Sequence, residues 1–163
     1  MSDETRSPTH SVTRLNTGQA AESSFGYARA VRAGNWILVS GCTATDESGQ
    51  LVGLGQMYTQ GRVAIGNIRS LLERMGASLA DVVRTRIYVT NLRDLAGIAQ
   101  AHREAFGDHP PASTLVEIVR LVRSDALIEI EADALIATPP EHEAQSRSQA
   151  RSVAGRRRRA SKN

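Results

Sequence analysis

The chain has 163 residues, 40% hydrophobic and 23% charged, an ordinary balance for one globular domain with a core. Phe, Trp and Tyr number 2, 1 and 3, so that core is aliphatic, and a single cysteine, Cys42, excludes an internal disulfide and fits a reducing cytoplasm. Residues 141–163 carry seven Arg or Lys and two Glu, and removing that +5 from the total of +3 leaves −2 for residues 1–140, so the basic charge belongs to the tail.

No apolar run approaches the roughly 18 residues that cross a membrane, and the opening MSDETRSPTHSVTR has no apolar segment of the secretory kind. Residues 1–22 read as a polar, disordered leader. YARAVR and NWILVSG follow as two strands, with a hairpin signal at Ala33-Gly34-Asn35. TATDESGQLVGLG is a loop, with turn residues at Asp46, Ser48 and Gly49. Its glycines precede no lysine, so it is not a phosphate loop. From Gln56 to Met75 the period becomes helical: Ala64, Ile65, Ile68, Leu71, Leu72 and Met75 form one stripe, and Gly76 can end the helix in a left-handed conformation. Ser78 and Asp81 have capping-box spacing.

DVVRTRIYVT alternates as a strand, with Val83, Thr85, Ile87 and Val89 on one face and Arg84, Arg86, Tyr88 and Thr90 on the other. A second helix starts with Asp94 as cap, turns Leu95, Ile98, His102 and Phe106 to one side, and ends near Gly107. HPPASTLVEIVRL, residues 109–121, and ALIEIEADALIA are the last two strands. Residues 139–163 read as a basic disordered tail, able to make at most weak contact with a polyanion. The order β-β-α-β-α-β-β without an internal repeat argues an α+β domain at residues 23–138, two helices covering one face of a mixed sheet.

Two helices leave the other sheet face uncovered. Glu129, Glu131 and Asp133 lie there with Arg84, Arg86 and Tyr88, and with Glu117 or Arg120. If Glu117 is on that face, Leu115, Val119 and Leu121 are too, a mixture that favours a subunit interface with cross-strand ion pairs over a solvated face.

The runs GYARAVRAGNWILVSG, NIRSLLERMGASLADVVRTRIYVTNL, HREAFG and PASTLVEIVRL followed by LIEIEA resemble the Rid family, the reactive intermediate deaminases also called YjgF, from about Ser24 to Ala137. The resemblance implies a chorismate-mutase-like α+β subunit. It also implies a homotrimer with three intersubunit clefts and hydrolysis of enamines and imines, such as 2-aminoacrylate, without metal or organic cofactor. It assigns Glu129 as the water-positioning carboxylate and Tyr27 as the pocket tyrosine. Where deaminating members carry Pro-x-Arg-Ser/Thr, this chain has Pro111-Ala112-Ser113-Thr114, so Ser113 stands at the position of the arginine clamp. Where many carry Ser-Gly-Gln, it has Ser40-Gly41-Cys42. The chain thus resembles a subgroup without the clamp, and its ligand-contacting set is Tyr27, Cys42, Ser113, Thr114 and Arg86.

A guanidinium grips a carboxylate with two charged hydrogen bonds and a hydroxyl gives one neutral bond, a loss of about 1–3 kcal/mol. Arg29 and Arg86 have two readings each: a replacement cation, or an ion pair at a surface or interface, which is favoured. No histidine is placed to activate Cys42, which favours an inert buried thiol. His10, His102, His109 and His142 lack metal-ligand spacing. Two function classes follow. One is cofactor-free hydrolysis of a small imine, enamine or related carbonyl compound, with 2-aminoacrylate disfavoured. The other is a non-catalytic trimer that binds a metabolite or a protein; RNA binding or cleavage ranks last, because the folded part is acidic.

Overall fold

The alternating and helical patterns become six strands and three helices in the computed structural model, which describes residues 11–137. The basic tail, with its polyanion contact, and His10 and His142 lie outside the described residues. In chain order the elements are β1 (Val12–Leu15), α1 (Ala20–Phe25), β2 (Ala30–Ala33), β3 (Trp36–Cys42), α2 (Met57–Arg74), β4 (Val82–Val89), α3 (Leu95–Phe106), β5 (Ala112–Glu117) and β6 (Ile128–Leu135). The sheet runs β1-β2-β3-β6-β4-β5, with β4 and β5 parallel and every other pair antiparallel. It is the mixed α+β sheet expected, with α2 and α3 on one face.

The leader is shorter than expected. Val12–Leu15 pair with β2, and α1 follows, so order begins well before residue 23. Polarity misled here: β1 is an edge strand whose side chains stay largely exposed, so its sequence lacks an apolar face.

The β2–β3 hairpin turns at Gly34-Asn35, with Gly34 at φ 61°, the glycine-first mirror-image turn that suits right-handed strand twist. Asp46 builds the next loop, its carboxylate accepting from the backbone N–H groups of Ser48 and Gln50. The stripe of α2 is buried as its period requires, with Ala64, Ile68 and Leu72 fully enclosed. Its end is a Schellman motif: Gly76 sits at φ 80°, the Gly76 N–H donates to Glu73 O at 3.0 Å, and the Ala77 N–H donates to Leu72 O at 2.9 Å. Arg32 then donates to Met75 O, a cation at the negative helix end. Ser78 and Asp81 complete their reciprocal capping box.

Three side-chain placements depart from simple alternation. On β4, Val82 pairs with Ala134 and Arg84 with Asp133, so Val83 is the extra residue of a bulge. Val82 is therefore buried and Val83, expected inside, is exposed. On α3, Ile98 and Phe106 are buried with Ala101, but Leu95 lies in the first turn and is 49% exposed. On β5, the parallel register sets Leu115 beside Ile87 and Glu117 beside Val89, so both share the helix side, and Thr114 and Val116 share the open side with Arg86 and Tyr88. The alternative that put Glu117, and with it Leu115, on the open face is overturned, because β4 rather than β6 fixes the face. The strand also stops at Glu117: Val119 is 98% exposed and Leu121 turns inward.

Gln60, fully buried on α2, holds the 53 turn and the start of β6 together: Nε2 donates to Gly53 O at 3.1 Å, and Oε1 accepts from the Leu127 N–H at 2.8 Å. Gln60→Leu strands both backbone groups. The expected loss is on the order of 2–4 kcal/mol, read as a lower melting temperature at fixed protein concentration; an unchanged melting temperature would show that water replaces the amide.

Candidate functional site

The site is organised by a bulge in β3. Val39 pairs with Ala132 and Cys42 with Ile130, so β3 takes three steps where β6 takes two. Strict alternation puts Trp36, Leu38, Ser40 and Cys42 on one face; the extra residue sends Cys42 to the other, beside buried Ile130. Cys42 stands in the expected ligand-contacting set, and its side chain is fully buried, in keeping with the inert-thiol reading. Burial pushes its thiol up to about 11, against the opposing pull of Arg29, so it is no thiolate at neutral pH.

Tyr27, Arg29 and Glu129 surround the bulge. The Arg29 guanidinium donates from Nη1 to the Tyr27 hydroxyl at 3.3 Å and from Nη2 to Cys42 Sγ at 3.2 Å. Glu129 projects from β6 over Gly41 so closely that a Cβ there would collide with its carboxylate. Burial raises the Glu129 pKa above the ordinary carboxylate value, Arg29 opposes the rise, and Glu131 adds to it. A half-buried carboxyl with a raised pKa near a cation is equipped to give and take a proton.

Glu22, which the polar leader concealed, is a further member. It is 4% exposed and accepts from Thr17 N at 3.0 Å and Gly18 N at 3.1 Å. Burial works against its charge, but the donors of Thr17 and Gly18, with Arg29, prevail and hold its carboxyl below the ordinary value. Its spacing from Thr17 within a turn-forming segment was the available signal; β1 had to be ordered for that signal to matter.

The other expected residues lie elsewhere. Arg86 is engaged on the open face, its Nη1 reaching Glu131 at 2.9 Å and Asp133 at 3.3 Å. That is the ion-pair reading, and Thr114 lies next to it in register. Ser113 pairs with buried Thr85 on the helix side, where Thr85 Oγ1 donates to Ser113 Oγ at 2.9 Å. Glu129 pairs with Tyr88, three residues along β4 from Thr85 and therefore on the opposite face. Within one subunit Ser113 and Glu129 are thus on opposite sides of the sheet. The open face also carries Trp36, Leu38 and Leu135 at 46%, 47% and 37% exposure, next to the Arg86 ion pairs.

Gly41→Ala is expected to keep the fold, since the obstructing group is the end of a side chain, and to push the Glu129 carboxylate out of place. If Glu129 acts on a substrate, misplacement of this order costs about 100-fold in rate. Turnover equal to the parent's would show that Glu129 is not needed where it stands.

The Endoribonuclease L-PSP family model matches residues 17–136. An uncharacterised protein of Streptomyces coelicolor is 35% identical over 123 residues, 76% of this chain and 91% of its own. The 3-aminoacrylate deaminase RutC of Acinetobacter baylyi is 36% identical over 104 residues, 64% of this chain and 82% of its own. Among solved structures, a member of the YjgF/YER057c/UK114 family from Mycobacterium tuberculosis superposes with a TM-score of 0.71 at 40% identity, covering 77% of this chain and 100% of that one. No helix among the described residues is long and apolar enough to cross a membrane.

Proposed function

The chain belongs to the Endoribonuclease L-PSP family, the family of YjgF, RidA and RutC, and from that membership we propose that it is a homotrimeric, cofactor-free hydrolase of small imines or enamines. The observation that carries this reading is Glu129: a half-buried carboxyl, raised in pKa, leaning over Gly41 and balanced by Arg29. The named activity of the RutC relative supplies the reaction class, enamine deamination.

The chemistry follows from that placement. Protonated Glu129 gives its proton to the enamine carbon, leaving an iminium. The carboxylate then takes a proton from water as the water oxygen bonds to the iminium carbon. The amino group of that adduct takes the proton back from Glu129 as the C–N bond breaks, the adduct hydroxyl gives its own proton to the Glu129 carboxylate as the carbonyl forms, and ammonia and the carbonyl product leave with Glu129 again protonated. A raised pKa keeps the acid form present to higher pH than an ordinary carboxylate allows, so the step needing that form is present at low pH and is lost as pH rises through the raised value.

The trimer reading rests on the open face, where Trp36, Leu38 and Leu135 accompany ion pairs that suit an interface. It also reconciles Ser113 with Glu129: from opposite faces of one sheet, they can share a cleft only across a subunit boundary. The preferred substrate is uncharged, because Arg86 is engaged and the charge of Arg29 is offset by Glu22.

The test generates imines in situ with oxidases, from uncharged amines and amino-acid amides as well as amino acids, and follows ammonia release. The parent is expected to accelerate hydrolysis of an uncharged imine, and Glu129→Gln to remove about 100-fold or more of that rate. No acceleration of any imine would discard catalysis in favour of a binding trimer.

A further inference from the structure

His102, on the buried side of α3, brings its Nε2 to 3.1 Å from Thr85 Oγ1, and Thr85 Oγ1 donates to Ser113 Oγ at 2.9 Å. The chain of contacts runs from helix to central strand to edge strand. Thr85 is fully enclosed, His102 is half-buried against the Phe106 ring at 4.7 Å between centroids, and Ser113 is exposed at the far end. Parallel pairing of β4 with β5 makes the alignment, since Thr85 and Ser113 are register partners.

A threonine hydroxyl has one hydrogen. The two contacts therefore run in one sense: with the Thr85 hydrogen on Ser113 Oγ, the Thr85 oxygen accepts from the imidazole and the ring proton sits on Nε2, and with Nε2 bare both bonds reverse. Burial, with no charged neighbour contributing, lowers the pKa of His102, so at neutral pH the ring is neutral with that single proton. Ser113 Oγ in turn accepts from Thr85, and among the described residues no hydrogen bond from the Ser113 hydroxyl is recorded. In the first sense the Ser113 hydrogen is left for a ligand, and each bond polarises the next.

We propose that His102 and Thr85 are positioning residues that fix Ser113 as an outward hydrogen-bond donor, so that the site selects its ligand by an uncharged carbonyl or amide oxygen rather than by a carboxylate. The inference rests on the placement of Ser113 in the cleft given above. One neutral donor holds an uncharged oxygen well, but it does not offset the desolvation of a carboxylate, least of all near Glu129.

Pyruvamide and pyruvate, a neutral and an anionic probe of nearly equal shape, separate the alternatives when titrated into the full chain and followed by NMR. Pyruvamide is expected to bind more tightly. Ser113→Ala and Thr85→Val each weaken it roughly fivefold to tenfold, and the double variant weakens it no further, because the residues act as one unit. Thr85→Ser and His102→Gln, which keep a donor in place, retain the preference, whereas His102→Leu loses it. Nitrogen shifts of His102 show the proton on Nε2. Tighter binding of pyruvate, binding of neither probe, additive losses, or a proton on Nδ1 would each overturn the proposal. Should Thr85→Val fail to fold, the Thr85→Ser, His102→Gln and His102→Leu series decides alone. Neither readout needs turnover, so absent imine hydrolysis with the pyruvamide preference intact counts against the catalytic reading, and hydrolysis without that preference counts against the relay.

Discussion

Trp36→Glu with Leu38→Glu is expected to turn the proposed trimer into monomers and to remove the proposed activity with it. Both side chains stand on the open sheet face at 46% and 47% exposure, and Leu38 is the register partner of Asp133, so the new carboxylate at 38 also meets a like charge. Removing two large apolar groups from an interface and burying charge in their place costs on the order of 3–5 kcal/mol per contact, which weakens each about 100-fold to 1,000-fold or more. Neither residue supports the core, since Ile37 and Val39 face the helices, so the monomer keeps its secondary structure. Sedimentation equilibrium at micromolar concentration reads the result. A monomeric parent would end the trimer reading, and a trimeric variant would place the interface elsewhere.

The parent is expected to be a slow deaminase for 2-aminoacrylate and 2-iminobutyrate, and Ser113→Arg to create that activity. These substrates are small and anionic, so their carboxylate is most of what a site can hold. Ser113 is exposed, so an arginine there needs no buried space. It would supply the two charged hydrogen bonds that a hydroxyl lacks, and orientation alone is worth about 100-fold in rate. The assay makes the imine with an amino-acid oxidase or a threonine dehydratase and follows keto-acid release. A parent rate equal to that of an arginine-bearing relative would mean that Arg29, the cation bonded to Tyr27 rather than to a carboxylate, already does this work. A Ser113→Arg variant that remains inactive would show that Ser113 does not face the ligand.

The sequence by itself determined the elements from β2 onward and much of the covering face. The stripe from Ala64 to Met75 is buried because a helix repeats every 3.6 residues, and Ile128, Ile130, Ala132 and Ala134 are buried because a strand repeats every two. Gly34, Gly76, Asp94 and the Ser78–Asp81 pair act where they stand, because turns and caps are local chemistry. The quoted runs also carried the family resemblance. Tertiary structure alone decided which side of the sheet the remaining side chains take. One extra residue at Ser40–Gly41 buries Cys42, and one at Val83 exchanges it with Val82. The parallel pairing with β4 sends Ser113, Leu115 and Glu117 to the helix side. The physical reason is common to all three: facing alternates with period two, so a single inserted residue or a choice of partner inverts it, and both are set by contacts between segments far apart in the chain. Glu22 and His102 were hidden for the same reason, since their partners Arg29 and Thr85 come into reach only when the sheet has assembled.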